Sequence, residues 1–90
     1  MQTIWKYPLK LAGEQVVTTP IGARALCVQM QGDSLCLWVL CDPTAGVNVD
    51  RTIRIIGTGH PIEIDPGSYI GTIQIDGGAL IFHVFDATIH

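Results

Sequence analysis

Residues 51–85 read RTIRIIGTGHPIEIDPGSYIGTIQIDGGALIFHVF, and their periodicity decides the fold. From Arg51 to Ile56, Arg51, Ile53 and Ile55 alternate with Thr52, Arg54 and Ile56. A period of two places successive side chains on opposite faces of a strand, so each face of this strand carries one arginine. Ser68 to Asp76 repeats the pattern, with Tyr69, Gly71, Ile73 and Ile75 set against Ile70, Thr72, Gln74 and Asp76. Gly77-Gly78 then reverses the chain into Ala79–Phe85, because both glycines reach positive φ without a Cβ penalty. Between the two alternating runs, Gly57 to Gly67 holds glycines, prolines and acids, and reads as a long connection with a short extended piece at Ile62 to Ile64.

Working outward, the remaining chain speaks the same language. Gln2 to Leu9 alternates Thr3, Trp5 and Tyr7 with Ile4, Lys6 and Pro8, a strand whose proline bars it from a central position. Gln15 to Thr19 is a second short strand stopped by Pro20. Arg24 to Cys41 reads as a hairpin turning at Gly32-Asp33. Its second arm, LCLWVLC, is apolar on both faces, which predicts a central strand covered on each side by a second sheet or another subunit, with Trp38 in the core. Thr44 to Asp50 reads as an exposed loop. No window of about 11 residues carries apolar positions at i, i+3, i+4 and i+7. The fold class is therefore all-β: a compact sandwich or barrel of about six or seven mostly antiparallel strands, with little or no helix.

At 90 residues the chain forms one domain, residues 1–90, and buries only roughly 60 to 65% of its unfolded surface. It is 48% hydrophobic and 14% charged, against about 25% charged in average proteins. So few charges leave apolar surface that marks an interface, and a homo-oligomer is expected. The net charge of −3, with Lys6, Lys10, Arg24, Arg51 and Arg54 scattered along the chain, argues against long nucleic acid, whose affinity comes from neutralising many phosphates. A small anion, needing one or two cations and a few amides, stays open. Cys27, Cys36 and Cys41 are odd in number and lack C-x-x-C spacing, so they read as buried thiols in a reducing cytosol rather than as a disulfide or metal framework. No apolar run approaches ~18 residues and no leader pattern opens the chain, which predicts a cytoplasmic protein without membrane contact.

Several residues are candidates for ligand contact. Gly57-Thr58-Gly59-His60 is a glycine-bounded loop that lets a ligand approach the backbone, and His60 either contacts that ligand or fixes the turn. Arg51 and Arg54 are the arginine pair nearest this loop; they can bind phosphate, or serve as solvated edge charges. Trp5, beside Lys6 on the first strand, offers a flat face for a nucleobase or packs inward, and Tyr69 is a further aromatic contact. His83, inside LIFHVF, reads as a satisfied core or interface histidine, and His90 as a terminal residue outside the fold. Three histidines in such different settings do not form a metal site. No G-x-S-x-G or G-K-[ST] occurs, and Ser34 and Ser68 sit in turn-like contexts, so no catalytic residue, cofactor or metal is assigned.

The stretches TIWKYPL, ALCVQMQGDSLCLWVLCDP, RTIRIIGTGHPI and YIGTIQIDGGALIFHVF resemble a small family of unknown function found widely in phage and prophage genomes. The likeness covers nearly the whole chain. It implies a viral setting and no particular activity. Small phage proteins of this kind often act as accessory or counter-defence factors. Joined to the residues above, that setting gives the expectation of a non-enzymatic binding protein acting in the cytoplasm of an infected bacterial cell. It would sequester a small nucleotide-derived immune signal without hydrolysing it. The alternatives are a protein that binds and inhibits a host defence protein, and a structural or accessory virion subunit.

Overall fold

The computed structural model describes residues 1–88; His90, read as terminal from the sequence, lies outside the described residues. Seven strands form two antiparallel sheets: β1 Thr3–Leu9, β2 Glu14–Pro20, β3 Arg24–Gln31, β4 Ser34–Cys41, β5 Asn48–Gly57, β6 Ser68–Ile75 and β7 Leu80–Asp86. One sheet has the order β1-β4-β3 and the other β2-β5-β7-β6. Of the all-β sandwich or barrel expected from the alternation, the sandwich is the observed fold. Among the described residues no helix is long and apolar enough to cross a membrane.

The two sheets meet along the apolar halves of their alternations. Leu35, Leu37, Val39 and Cys41 of β4 pack against Ile53 and Ile55 of β5 and Val84 of β7, with Val17, Val28 and Ile73 closing the cluster. Leu37, Val39, Ile53 and Val84 are fully buried. Each such side chain contributes about 1.5–3 kcal/mol relative to exposure, which makes this cluster the main source of stability. Pro8 falls on the edge strand β1, where a missing ladder donor costs nothing.

Several expectations are corrected. The strand expected from Arg51 begins at Asn48, because Asn48, Val49 and Asp50 pair with Pro20, Thr19 and Thr18 of β2. Ile62 to Ile64 forms no strand. β5 and β6 run parallel on either side of β7, so residues 58–67 must return along the sheet. They cross its outer face, where the segment has no ladder partner and Pro61 and Pro66 lack donors. Gly67 ends this crossing at φ +104, and a Cβ there would lie 2.2 Å from the Asp86 carbonyl oxygen, so only glycine fits. The Gly77-Gly78 reversal is a 3₁₀ turn over Asp76–Gly78 with positive φ at all three residues. Trp38 is not in the core. It is paired with Lys6 on the outer face of its sheet, half-buried, with the Lys6 ammonium 5.9 Å from the ring centroid. β4 is central, but the second sheet covers only one of its faces.

Candidate functional site

The end of β2, the starts of β3, β5 and β6, and the end of β7 converge at one mouth of the sandwich around a cavity of about 660 Å³. Arg51 lies at its floor. The alternation of β5 turns this arginine inward with Ile53 and Ile55, and it is only 8% exposed. An isolated buried charge costs several kcal/mol, so it persists only with a full set of partners. Its Nε donates to Thr19 Oγ1 at 3.1 Å, its Nη1 to Asp86 Oδ2 at 2.7 Å, and its Nη2 to the Ala23 carbonyl. A guanidinium has five N–H donors. Three are used in these bonds, which leaves two without an acceptor among the described residues.

Asp86 is held as carefully. Its Oδ1 accepts the Thr88 backbone N–H at 2.9 Å and the Thr88 hydroxyl. Burial alone pushes its carboxyl up, but the Thr88 and Arg51 hydrogen bonds outweigh burial and hold it below its ordinary value. Behind this pair Tyr7 packs against the core; burial pushes its phenol up, with Cys41 adding and Arg51 opposing. The rim of the cavity carries exposed Arg24, Ser68 and Tyr69. Tyr69 is 61% exposed and stands edge-on to Phe85, with ring centroids 5.7 Å apart.

The structure separates the residues singled out from the sequence. Arg51 and Tyr69 share the mouth cavity. Arg54 projects from the opposite face of β5, where its Nε donates to Glu14 Oε2 at 3.3 Å and its Nη1 to the Asp65 carbonyl at 3.3 Å. Gly57, Thr58, Gly59 and His60 form a turn at the other end of the sandwich. The His60 N–H donates to the Gly57 carbonyl and the Thr58 N–H to the Ile81 carbonyl, both at 3.1 Å, and Gly59 takes φ +85. Two of the amides expected to cradle an anion are thus spent in the fold, which favours the turn-fixing reading of this loop. Gly57, Thr58 and His60 line a second cavity of about 440 Å³ with Ile81 and Phe82. Trp5 and Lys6 belong to the three-stranded sheet: Trp5 is inward-facing yet 42% exposed, and Lys6 donates to Gln31 Oε1 at 2.7 Å.

His83 is neither core nor idle. It sits on the outer face of β7, with Nε2 2.8 Å from Thr58 Oγ1 and Nδ1 3.0 Å from Thr72 Oγ1, which in turn meets the Tyr69 hydroxyl. Either hydroxyl can donate or accept, depending on the ring tautomer. Among the described residues the partners of this imidazole are the two hydroxyls, and no carboxylate is bonded to it.

Alternation alone overlooked Arg24, Asp86 and Thr88. Asp86 was nonetheless within reach, since it shares the inward parity of Phe82 and Val84 just as Arg51 shares that of Ile53. Opposite charges at inward positions of two strands announce a buried pair. Among the described residues no group of three or more His, Cys, Asp or Glu converges to hold a metal, and Cys27, Cys36 and Cys41 are unpaired thiols. Chemically, the mouth offers guanidinium donors and a partly apolar wall, with Tyr69 at its rim beside Phe85: groups that suit a small anion.

No curated protein and no solved structure matches the chain. A family model described as a domain of unknown function, DUF7352, matches residues 1–89, and the chain belongs to that family.

Proposed function

We propose that the protein binds a small, anionic, nucleotide-type ligand in the mouth cavity and sequesters it without hydrolysis, as a phage-encoded counter-defence factor in the host cytoplasm. The observation that carries this reading is Arg51, a buried guanidinium with unspent donors on the floor of a cavity of about 660 Å³. That volume falls within the roughly 300–1,000 Å³ of small-molecule sites. Arg24 at the rim supplies a second cation for phosphate, and Tyr69 a face on which a base stacks. The viral setting rests on the likeness of the motifs to phage and prophage sequences. The protein acts as a homo-oligomer in this reading, since exposed Ile4, Val16, Leu26 and Ile64 give apolar surface a second chain can cover.

Isothermal titration with cyclic nucleotides and ADP-ribose derivatives tests it. One of these probes should bind and be recovered chemically unchanged. Tyr69→Ala should weaken that binding by about ten-fold, the low end of what one stacked base contributes. A probe that binds with equal affinity to wild type, Tyr69→Ala and Arg24→Ala overturns the assignment of the cavity; absence of binding by every probe overturns the nucleotide reading.

A further inference from the structure

We infer that β2 is a self-complementary edge through which two copies of this chain join into one continuous sheet. An uncovered strand edge is a template for pairing, and proteins blunt such edges with lysine, proline, bulges or covering segments. Three of the four edges are treated in this way. β1 carries Lys6 and Pro8 within its ladder. β3 and β6 each contain a bulge, at Ala25/Cys27 and Tyr69/Gly71, and they close on one another: a Cβ on Gly71 would lie 2.9 Å from Val28 Cγ2. β2, EQVVTTP, has no bulge and no lysine, and its single proline stands at its last position.

The direction of its backbone groups can be read from the bonds at either end. Ile55 N–H donates to the Gly13 carbonyl, and Ile21 N–H donates to the Val47 carbonyl. Odd-numbered residues of β2 therefore face β5, and the N–H and C=O groups of Glu14, Val16 and Thr18 face the free edge. Pro20 shares that parity, so its missing donor falls on the outward side, where a ladder loses nothing. A two-fold axis at Val16 pairs Val16 with Val16 of the partner subunit and Glu14 with Thr18 of the partner subunit, and each such pair exchanges two N–H···O bonds. Val16, 62% exposed in the single chain, gains an apolar neighbour directly opposite. No like charges face each other, since Glu14 meets threonine and is paired with Arg54 within its own chain. The product is an eight-stranded sheet in which the unprotected edge has disappeared.

The self-opposition of Val16 sets the test. Light scattering at about 100 μM should give wild type twice the chain mass of 9.7 kDa. Val16→Lys and Val16→Asp each place like charges opposite one another, and each should run at the single-chain mass. An equimolar mixture of the two variants should return to twice that mass as a heterodimer. In wild type, hydrogen exchange at the Val16 and Thr18 amides should slow at least ten-fold between dilute and concentrated samples, a readout that does not depend on either variant folding. Wild type at the single-chain mass, either variant remaining dimeric, or concentration-independent exchange at Val16 and Thr18 overturns the inference. So does pairing of this edge with an extended peptide of another protein while wild type alone stays monomeric.

Discussion

Arg51 and Arg54 are three residues apart on β5 and alike in chemistry, yet they occupy opposite environments. The Arg51–Asp86 pair has side chains 10% and 12% exposed, at 2.7 Å; the Arg54–Glu14 pair has side chains 24% and 59% exposed, at 3.3 Å. Parity on the strand is the whole cause. An odd shift carries the guanidinium from the cavity floor to the outer face, and with it from a low-dielectric setting to one where water and salt compete for the same charge. Inside, the arginine ties β2, β5 and β7 together at the cavity floor. Outside, it fastens the crossing segment at Asp65.

The comparison predicts unequal costs. Arg51→Ala strands Asp86 without its cation and orphans the Ala23 carbonyl, while the Thr19 hydroxyl keeps only its bond to the Pro20 carbonyl. Removing one member of a buried pair costs about 3–5 kcal/mol, so the melting temperature should fall by about 12–40 °C at roughly 4–8 °C per kcal/mol for a domain of this size. A calorimetric shift below about 4 °C would show that the pair adds little and that the parity contrast is empty.

Arg24 sharpens the contrast from the other side, because it shares the cavity with Arg51 but makes no ion pair among the described residues. Arg24→Ala should leave the melting temperature within about 2 °C while weakening the nucleotide probe about ten- to a hundred-fold, the worth of one charge-assisted bond. Calorimetry and titration on the same sample check both halves. Unchanged affinity would move the anion contact elsewhere in the mouth.

How much of this was readable from residues alone depends on the range of the interaction involved. The alternation of Arg51–Ile56 and of Ser68–Asp76 is local, and it correctly announced strands, faces and one arginine per face. Trp38 was misplaced because LCLWVLC is apolar at every position, and such a run cannot say which face meets a second sheet. The glycine loop at Gly57–His60 attracted attention through its residue types. Two of its amides were already spent on carbonyls 3.1 Å away, one of them on β7 and invisible in the local sequence. The mouth cavity itself is assembled from five strand ends, and only register brings Arg24, Arg51 and Tyr69 to one place.

Acid should also weaken the buried pair. The Asp86 carboxyl is held below its ordinary value of 3.8 in the folded protein, so the unfolded chain takes up a proton first as pH falls. Its contribution is fully present above that ordinary value and is lost as pH drops through the lower folded value. Denaturant midpoints measured between pH 5 and pH 2 should therefore fall most steeply below about pH 4, the ordinary carboxylate range. Asp86→Asn should start lower and lose part of this acid limb. An identical slope in wild type and Asp86→Asn would assign the acid sensitivity to other carboxylates.

The smallest effect belongs to Arg54. Its bond to Glu14 is 3.3 Å long and the carboxylate is 59% exposed, so solvent screens most of the attraction and side-chain ordering offsets much of the rest. Exposed pairs of this kind contribute about 0–1 kcal/mol. The second bond, to the Asp65 carbonyl at 3.3 Å, adds little for the same reason, and its loss frees the crossing segment locally rather than the sandwich as a whole. Arg54→Ala should then shift the melting temperature by no more than about 8 °C and should speed hydrogen exchange within residues 61–66 without altering exchange in β4 or β7. It should leave binding at the mouth unchanged, since Arg54 lies on the opposite face of β5. A large loss of stability would mean that the crossing segment, and not the buried pair alone, holds the four-stranded sheet in register; a loss of nucleotide affinity would place the ligand on the outer face of β5 beside Arg54, Glu14 and Asp65.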